Sequence, residues 1–102
     1  FAGNDMMAWG AIEAAKERGL RVPEDIAVAG FDNVLYSSLV VPAMTTVNQL
    51  KFEAGQTAMR LLLEKIQKKS RRESVFTRKI ELDSNLIVRE STLSRRIPEV
   101  NQ

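Results

Sequence analysis

The sequence predicts an α/β fold, a parallel sheet flanked by helices, and three observations carry that expectation. A strand tail at Phe1–Gly3, an amphipathic helix to about Arg18 and a continuous apolar run at Ile26–Ala29 follow one another in the order of a βαβ unit. A second helical stripe spans Phe52 to about Gln67. Two further extended runs, Phe76–Leu82 and Leu86–Arg89, supply candidate strands.

Asn4-Asp5 reads as the turn into the first helix, with Asp5 as the expected N-cap acceptor for the free N–H groups of the first turn. On a helical wheel Met7, Ala8, Ala11, Ile12, Ala14 and Ala15 share one broad face, with Glu13, Lys16 and Glu17 opposite. Trp9 falls with Glu13 and Lys16, so it reads as a partner contact or a surface aromatic outside the apolar face. Gly19 can adopt positive φ and stops the helix. After a turn at Pro23-Glu24-Asp25, Ile26–Ala29 has the unbroken apolar pattern of a strand covered on both faces. Gly30-Phe31-Asp32-Asn33 is then a loop at the carboxyl end of that strand. A helical or irregular stretch covers Val34 to Val41 until Pro42 interrupts it.

Thr45-Thr46-Val47 reads as a short extended segment. In the second helix Phe52, Gly55, Ala58, Met59, Leu62, Leu63 and Ile66 form the stripe, away from Glu53, Arg60 and Glu64. Lys68 to Ser74 is a charged connection, Asp83-Ser84-Asn85 separates the last two extended runs, and 94–102 reads as a frayed tail.

Composition narrows the function classes. A chain of 102 residues, 44% hydrophobic and 27% charged, suits one small soluble domain. Its 15 basic and 13 acidic residues are too mixed to mark a nucleic-acid footprint. Lys65, Lys68, Lys69, Arg71 and Arg72 cluster, but without interleaved aromatics and at a helix C-terminus, where cations are favoured anyway. They read as a solvated connection. With no Cys there is no disulfide or thiolate chemistry, and with no His the commonest general base and metal ligand is missing. No phosphate-cradling glycine loop, nucleophile elbow or readable carboxylate pair stands in for them, so neither an enzyme nor a metal or cofactor is expected. No apolar run approaches the roughly 18 residues a membrane span needs. The sequence opens mid-pattern without Met and is read as a piece of a longer chain.

Five phrases, taken together, carry a family resemblance. Gly3-Asn4-Asp5-Met6-Met7-Ala8-Trp9-Gly10, Gly19-Leu20-Arg21-Val22-Pro23-Glu24-Asp25-Ile26, Gly30-Phe31-Asp32-Asn33, Pro42-Ala43-Met44-Thr45-Thr46-Val47 and Leu86-Ile87-Val88-Arg89-Glu90-Ser91-Thr92 resemble the C-terminal part of the effector-binding domain of LacI/GalR transcriptional regulators. They occur in family order from Phe1 to about Leu93. The resemblance implies the type I fold of periplasmic binding proteins: two α/β lobes joined by crossovers, with ligand held between them. It divides residues 1–93 into 1–44, mainly C-terminal lobe; 45–82, a crossover and N-terminal-lobe elements; and 83–93, the return to the C-terminal lobe. The chain would hold pieces of both lobes.

The resemblance also implies a role: effector binding and dimerisation in a cytoplasmic repressor that senses a sugar, a nucleoside or a related small polar metabolite. Operator DNA would be read by an N-terminal helix-turn-helix that this sequence does not contain, and no membrane partner is implied. The rival is a secreted sugar-binding protein of an ABC transporter. Such proteins share Asn4-Asp5 and Phe31-Asp32 but less often carry Arg21–Asp25, the Thr-Thr-Val crossover or the Val88–Thr92 ending.

Three residues are candidate ligand contacts. Asp32 follows a strand at the rim where open α/β sheets bind ligands, and a carboxylate there can accept two hydrogen bonds from adjacent hydroxyls. From the residues alone it reads equally well as a turn residue capping the next helix; the resemblance favours the ligand. Asn4 lies on the same rim, and its amide can donate and accept, although Asn also suits a left-handed turn. Gln49 follows the crossover and reads as a cleft amide or a solvated loop residue. For the homodimer, the resemblance packs the first helix against its twin, making Met6, Trp9 and Val40 interface candidates.

Overall fold

The computed structural model describes residues 1–93. In chain order it contains helix α1 (Asp5–Glu17), a 3-10 turn at Leu35–Ser38, strand β1 (Thr46–Gln49), helix α2 (Lys51–Ser70), strand β2 (Ser84–Ile87) and a 3-10 turn at Glu90–Thr92. The expected tail, 94–102, lies outside the described residues. Two compact units divide the chain: residues 1–49 with the segment from Asn85 onward, and Leu50–Ser84.

In the first unit α1 ends on Gly19, whose φ is +73°. Gly19 N–H bonds to Lys16 O and Leu20 N–H to Ala15 O, both at 2.9 Å, which satisfies two carbonyls that the helix end would leave open. At the other end the cap is Asn4 and not Asp5. Asn4 keeps an extended backbone, and its Oδ1 accepts from Met7 N–H at 2.8 Å. Asp5 is already helical and turns its carboxylate inward, where it is 1% exposed.

The apolar arc of α1 is wider than the surface it meets. Ala8, Ile12 and Ala15 are buried, whereas Met7, Ala11 and Ala14 stay exposed. Only the i, i+4, i+7 row faces the core, a cluster of Ala8, Ile12, Val28 and Met44 with Ala2, Trp9, Val22 and Val40 packed against it. Trp9 therefore departs from its wheel position. It is half-buried because Tyr36, on the turn at Leu35–Ser38, stacks on it with ring centroids 5.2 Å apart.

Three extended segments lie side by side. Ala2 N–H donates to Ala29 O at 2.8 Å, while Gly30 and Asp32 N–H donate to Thr45 and Val47 O, both at 2.9 Å. That two-residue step on both sides is a parallel pairing, and Ala29 and Thr45 form a parallel bridge. The pairing is thinner than expected. Ile26–Ala29 is not a strand covered on both faces: Ile26 is 45% exposed and Ala27 is also exposed. Its neighbours, Ala2 and Thr45, first come level with it at Ala29.

Strand β1 pairs with β2. Beyond that pair Ser91 N–H reaches Ala43 O at 2.9 Å and Arg89 N–H reaches Thr45 Oγ1 at 2.8 Å, so numbers fall on one side as they rise on the other. The returning chain is antiparallel to β1. Pairing starts at Ser84, earlier than expected, and stops at Ile87, so Val88 and Arg89 lie outside the strand.

In the second unit α2 outruns its apolar stripe through Lys68, Lys69 and Ser70. Lys68 Nζ meets Glu64 at 3.2 Å and Arg78 meets the same carboxylate at 3.0 Å. The Lys68 hydrogen bond and charge, then the charge of Arg78, hold the Glu64 carboxyl below its ordinary range. No residue of α2 is buried, and Phe52 is 73% exposed. The expected strand at Phe76–Leu82 does not form. Among the described residues no segment offers it backbone partners, so its exposed N–H and C=O groups are left to water and no ladder forms.

Gly30 marks where the sheet presses on α1. A Cβ there would collide with Asp5 Oδ1 and stand 3.1 Å from both Asp5 Cα and Met44 Sδ. Gly30→Ala is expected to destabilise the first unit by about 1–3 kcal/mol, the usual cost of overpacking. Urea denaturation should show a lower midpoint at unchanged slope.

Candidate functional site

The parallel segments bring three sequence-predicted residues to one edge. Asp5 N–H donates to Phe31 O at 3.1 Å, setting Asn4-Asp5 alongside Phe31-Asp32. Asp32 N–H on Val47 O then sets Asp32 beside the end of β1, where Gln49 is exposed. Asn4, Asp32 and Gln49 thus stand at the carboxyl ends of three neighbouring extended segments. Crevices in open α/β sheets take their ligands at such an edge. Asn4 spends Oδ1 on the helix cap, which leaves its Nδ2 as the group that could donate to a ligand.

The Asp32 turn is held in a conformation that L-residues seldom adopt. Asp32 has φ 123° and Asn33 φ 53°, which surrounding bonds must over-determine if the turn is to persist. Every polar group of Asn33 except its carbonyl is engaged. Its N–H meets Thr46 Oγ1 at 3.1 Å, its Nδ2 meets Asn48 Oδ1 at 3.3 Å, and its Oδ1 accepts from Arg89 Nη2 at 3.0 Å. The next residue is tied as well, because Val34 N–H donates to Asp5 Oδ2 at 2.9 Å. The second oxygen of Asp5 accepts from Thr46 Oγ1 at 2.6 Å. One buried carboxylate therefore links α1, the exit of the turn and β1.

A hydroxyl network fixes the other side. Ser91 Oγ donates to Val28 O at 2.5 Å and accepts from Thr45 N–H at 2.8 Å. Thr45 Oγ1 accepts from Arg89 N–H and lies 2.6 Å from Thr92 Oγ1. Among the described residues every buried side-chain nitrogen or oxygen has a partner. Outside this network, Arg21 closes on Asp25 through its N–H at 2.8 Å and two guanidinium bonds of 3.2 Å, a local reason for the Arg21–Asp25 phrase.

Sequence reasoning named the edge but not what shapes it. It gave Asp5 to the helix cap and left Asn33, Thr46, Arg89 and Ser91 without roles. A signal for Asp5 was present: it shares the 5, 8, 12, 15 spacing of the buried face of α1, where an acidic residue needs partners. Met6 is 59% exposed on α1, and Val40 is half-buried against the core. A cavity of about 790 Å³ lies elsewhere in the unit, lined by Lys16, Arg21, Val22, Pro23 and Pro42 among others, and includes none of Asn4, Asp32 or Gln49.

A βαβ-derived sheet with polar residues gathered at the carboxyl ends of its segments defines an α/β domain of the open-sheet class. Residues 1–92 match the periplasmic binding protein-like domain, and the chain belongs to that family as part of the effector-binding domain of a LacI/GalR regulator. It is 45% identical over 95 residues to the HTH-type transcriptional repressor PurR of Pasteurella multocida, covering 93% of this chain and 27% of that protein. Among solved structures, the lac repressor dimer bound to operator and the anti-inducer ONPF matches with TM-score 0.76 at 38% identity, over 91% of this chain and 28% of the other. A LacI family transcriptional regulator from Enterococcus faecium with bound ribose matches with TM-score 0.74 at 35% identity, over 90% and 33%. The chain thus spans about 27% of the length of the curated repressor it matches. These relatives are transcriptional regulators.

Removing the Asp5 carboxylate tests its place in this arrangement. Asp5→Ala leaves Val34 N–H and Thr46 Oγ1 without their acceptor and should cost about 2–6 kcal/mol, the sum for a part-buried and a buried group left unpaired. Asp5→Asn keeps one oxygen and should cost less. Urea denaturation of the two variants gives the comparison.

Proposed function

We propose that this chain binds a sugar, a nucleoside or a related small polar metabolite in a bacterial repressor, with Asp32 as the principal effector contact. The observation that carries the reading is Asp32 itself, held at positive φ by surrounding bonds on the edge that Asn4 and Gln49 share. A carboxylate fixed there can take two hydroxyls or a base N–H in charge-assisted hydrogen bonds. Asn4 Nδ2 and the Gln49 amide supply the neutral contacts. The site binds its ligand without transforming it. Residues 1–44 and 83–93 belong to one lobe. Residues 45–82 supply a crossover and part of the other, whose remaining elements cover Phe52, Met59, Leu62, Leu63 and Ile66.

Effector held between lobes favours one lobe angle, and the dimer carries that bias to DNA-reading heads. A regulator that meets its operator works in the cytoplasm. Dimerisation uses the exposed side of α1, with Met6 in its first turn and Trp9 and Val40 beside it. Met6 is the cleaner probe, because Trp9 also packs on Tyr36. In a full-length regulator carrying this chain, Met6→Glu should shift sedimentation from dimer to monomer; an unaltered dimer removes Met6 from the interface.

The effector assignment is tested in the same protein. A thermal-shift screen of pentoses, hexoses and nucleosides identifies a binder, since a ligand that binds only the folded state raises its melting temperature. Asp32→Ala should then weaken that binder about tenfold to a hundredfold by calorimetry, the scale of one hydrogen bond to a charged group. Operator binding without effector should be retained. Unchanged effector affinity would overturn the assignment.

A further inference from the structure

We propose that Arg89 is the positioning residue of the effector edge: without touching effector, it locks the Asp32 turn to the returning chain. The guanidinium makes three bonds with a fixed fork. Nη2 reaches Asn33 Oδ1 at 3.0 Å, and Nη1 reaches Ser37 Oγ at 2.8 Å and Met44 O at 3.0 Å. Those acceptors sit on the turn, on the 3-10 segment after it and on the residue leading into the Thr45 pairing. The Arg89 backbone is pinned too, with its N–H on Thr45 Oγ1 at 2.8 Å and its carbonyl accepting from the same hydroxyl at 3.1 Å. Arg89 is half-buried, and a planar fork pinned at both backbone and side chain transmits position where a flexible ammonium does not.

Asn33 is the receiving end. It follows Asp32 at positive φ, and its side-chain oxygen accepts from Arg89 Nη2 at 3.0 Å and from Ser37 Oγ at 3.3 Å. Arg89 Nη1 itself engages that hydroxyl, so the guanidinium is the charged donor to the oxygen and also holds the second donor. The chain that returns through 83–93 therefore sets the geometry of the effector contact. A shift of this segment reaches the Asp32 turn directly through the Arg89 side chain, beside the backbone route through β1. The effector part of the proposal rests on Asp32 as ligand contact; the positioning of the turn does not.

Amide hydrogen exchange on this chain separates the two. In Arg89→Gln, protection of the Asp32 and Asn33 N–H groups should fall about tenfold or more, the factor expected for losing one hydrogen bond to a charged group. Ala8 and Ile12 in α1 should keep theirs. Arg89→Lys should not restore protection, since an ammonium lacks the fork. Equal loss at all four amides, no loss at Asp32 and Asn33, or full rescue by lysine would overturn the proposal. Should Arg89→Gln unfold the chain, Asn33→Gly removes the acceptor yet tolerates positive φ, and it should loosen Asp32 N–H by a similar factor; wild-type protection there is equally contrary. Calorimetry of the full-length regulator with D-ribose, cellobiose and guanosine forms the second arm. Arg89→Gln should weaken whichever probe binds by about tenfold, and unchanged affinity with a loosened turn breaks the link to effector. Binding of none by the wild type removes support from the Asp32 reading, while exchange still decides the role of Arg89.

Discussion

A carboxylate that is 1% exposed organises the first unit. Buried charge is tolerated only where donors meet it, and the donors that meet Asp5 come from two other places in the chain, Val34 N–H and Thr46 Oγ1. Those bonds require α1, the exit of the Gly30–Asn33 turn and β1 to converge. Convergence in turn leaves no room for a side chain at position 30. The apolar cluster beside it is small, with four fully buried members. Register in this unit is consequently set by polar bonds of defined direction as much as by apolar contact, which is non-directional. The hydroxyls of Thr45 and Ser91 extend the same logic to the returning chain.

Much of this fold was legible in the sequence because helices announce themselves locally. The 3.6-residue stripes of α1 and α2 depend on neighbours three and four residues away, and both helices form close to their expected bounds. Strands depend on partners far along the chain. Ile26–Ala29 and Phe76–Leu82 have apolar patterns suited to a sheet, yet pattern does not disclose which neighbours stand level with them. The first forms its parallel bridge only at Ala29, with Val28 N–H on Ser91 O, and the second does not pair at all. Trp9 failed for a related reason: a wheel describes one helix and is blind to Tyr36 arriving from 27 positions further on.

The candidate edge was half legible. Asp32 and Asn4 could be placed on one rim because parallel βαβ geometry puts successive strand ends there. What fixes them could not, since Asp5 to Thr46 and Arg89 to Asn33 span 41 and 56 residues. The Arg89-Glu90-Ser91-Thr92 phrase entered only as a resemblance. Its physical content is a fork and two hydroxyls that fasten the returning chain to the central segment. The two units also differ in character. One closes on its own polar network, while the other, with no buried residue in a helix of 20, presents a face made to be covered.

The Trp9–Tyr36 stack has an optical consequence. They are the chain's one Trp and one Tyr, and both lie in the first unit, with rings 5.2 Å apart. At that range excitation of the phenol passes to the indole, so the folded chain emits almost wholly as tryptophan and regains a tyrosine shoulder once the 3-10 segment peels from α1. The second unit holds neither chromophore. Its ordering is visible through amide ellipticity, to which the 20 residues of α2 contribute strongly. Emission therefore reports on the first unit's aromatic pair, while ellipticity sums α1 and α2.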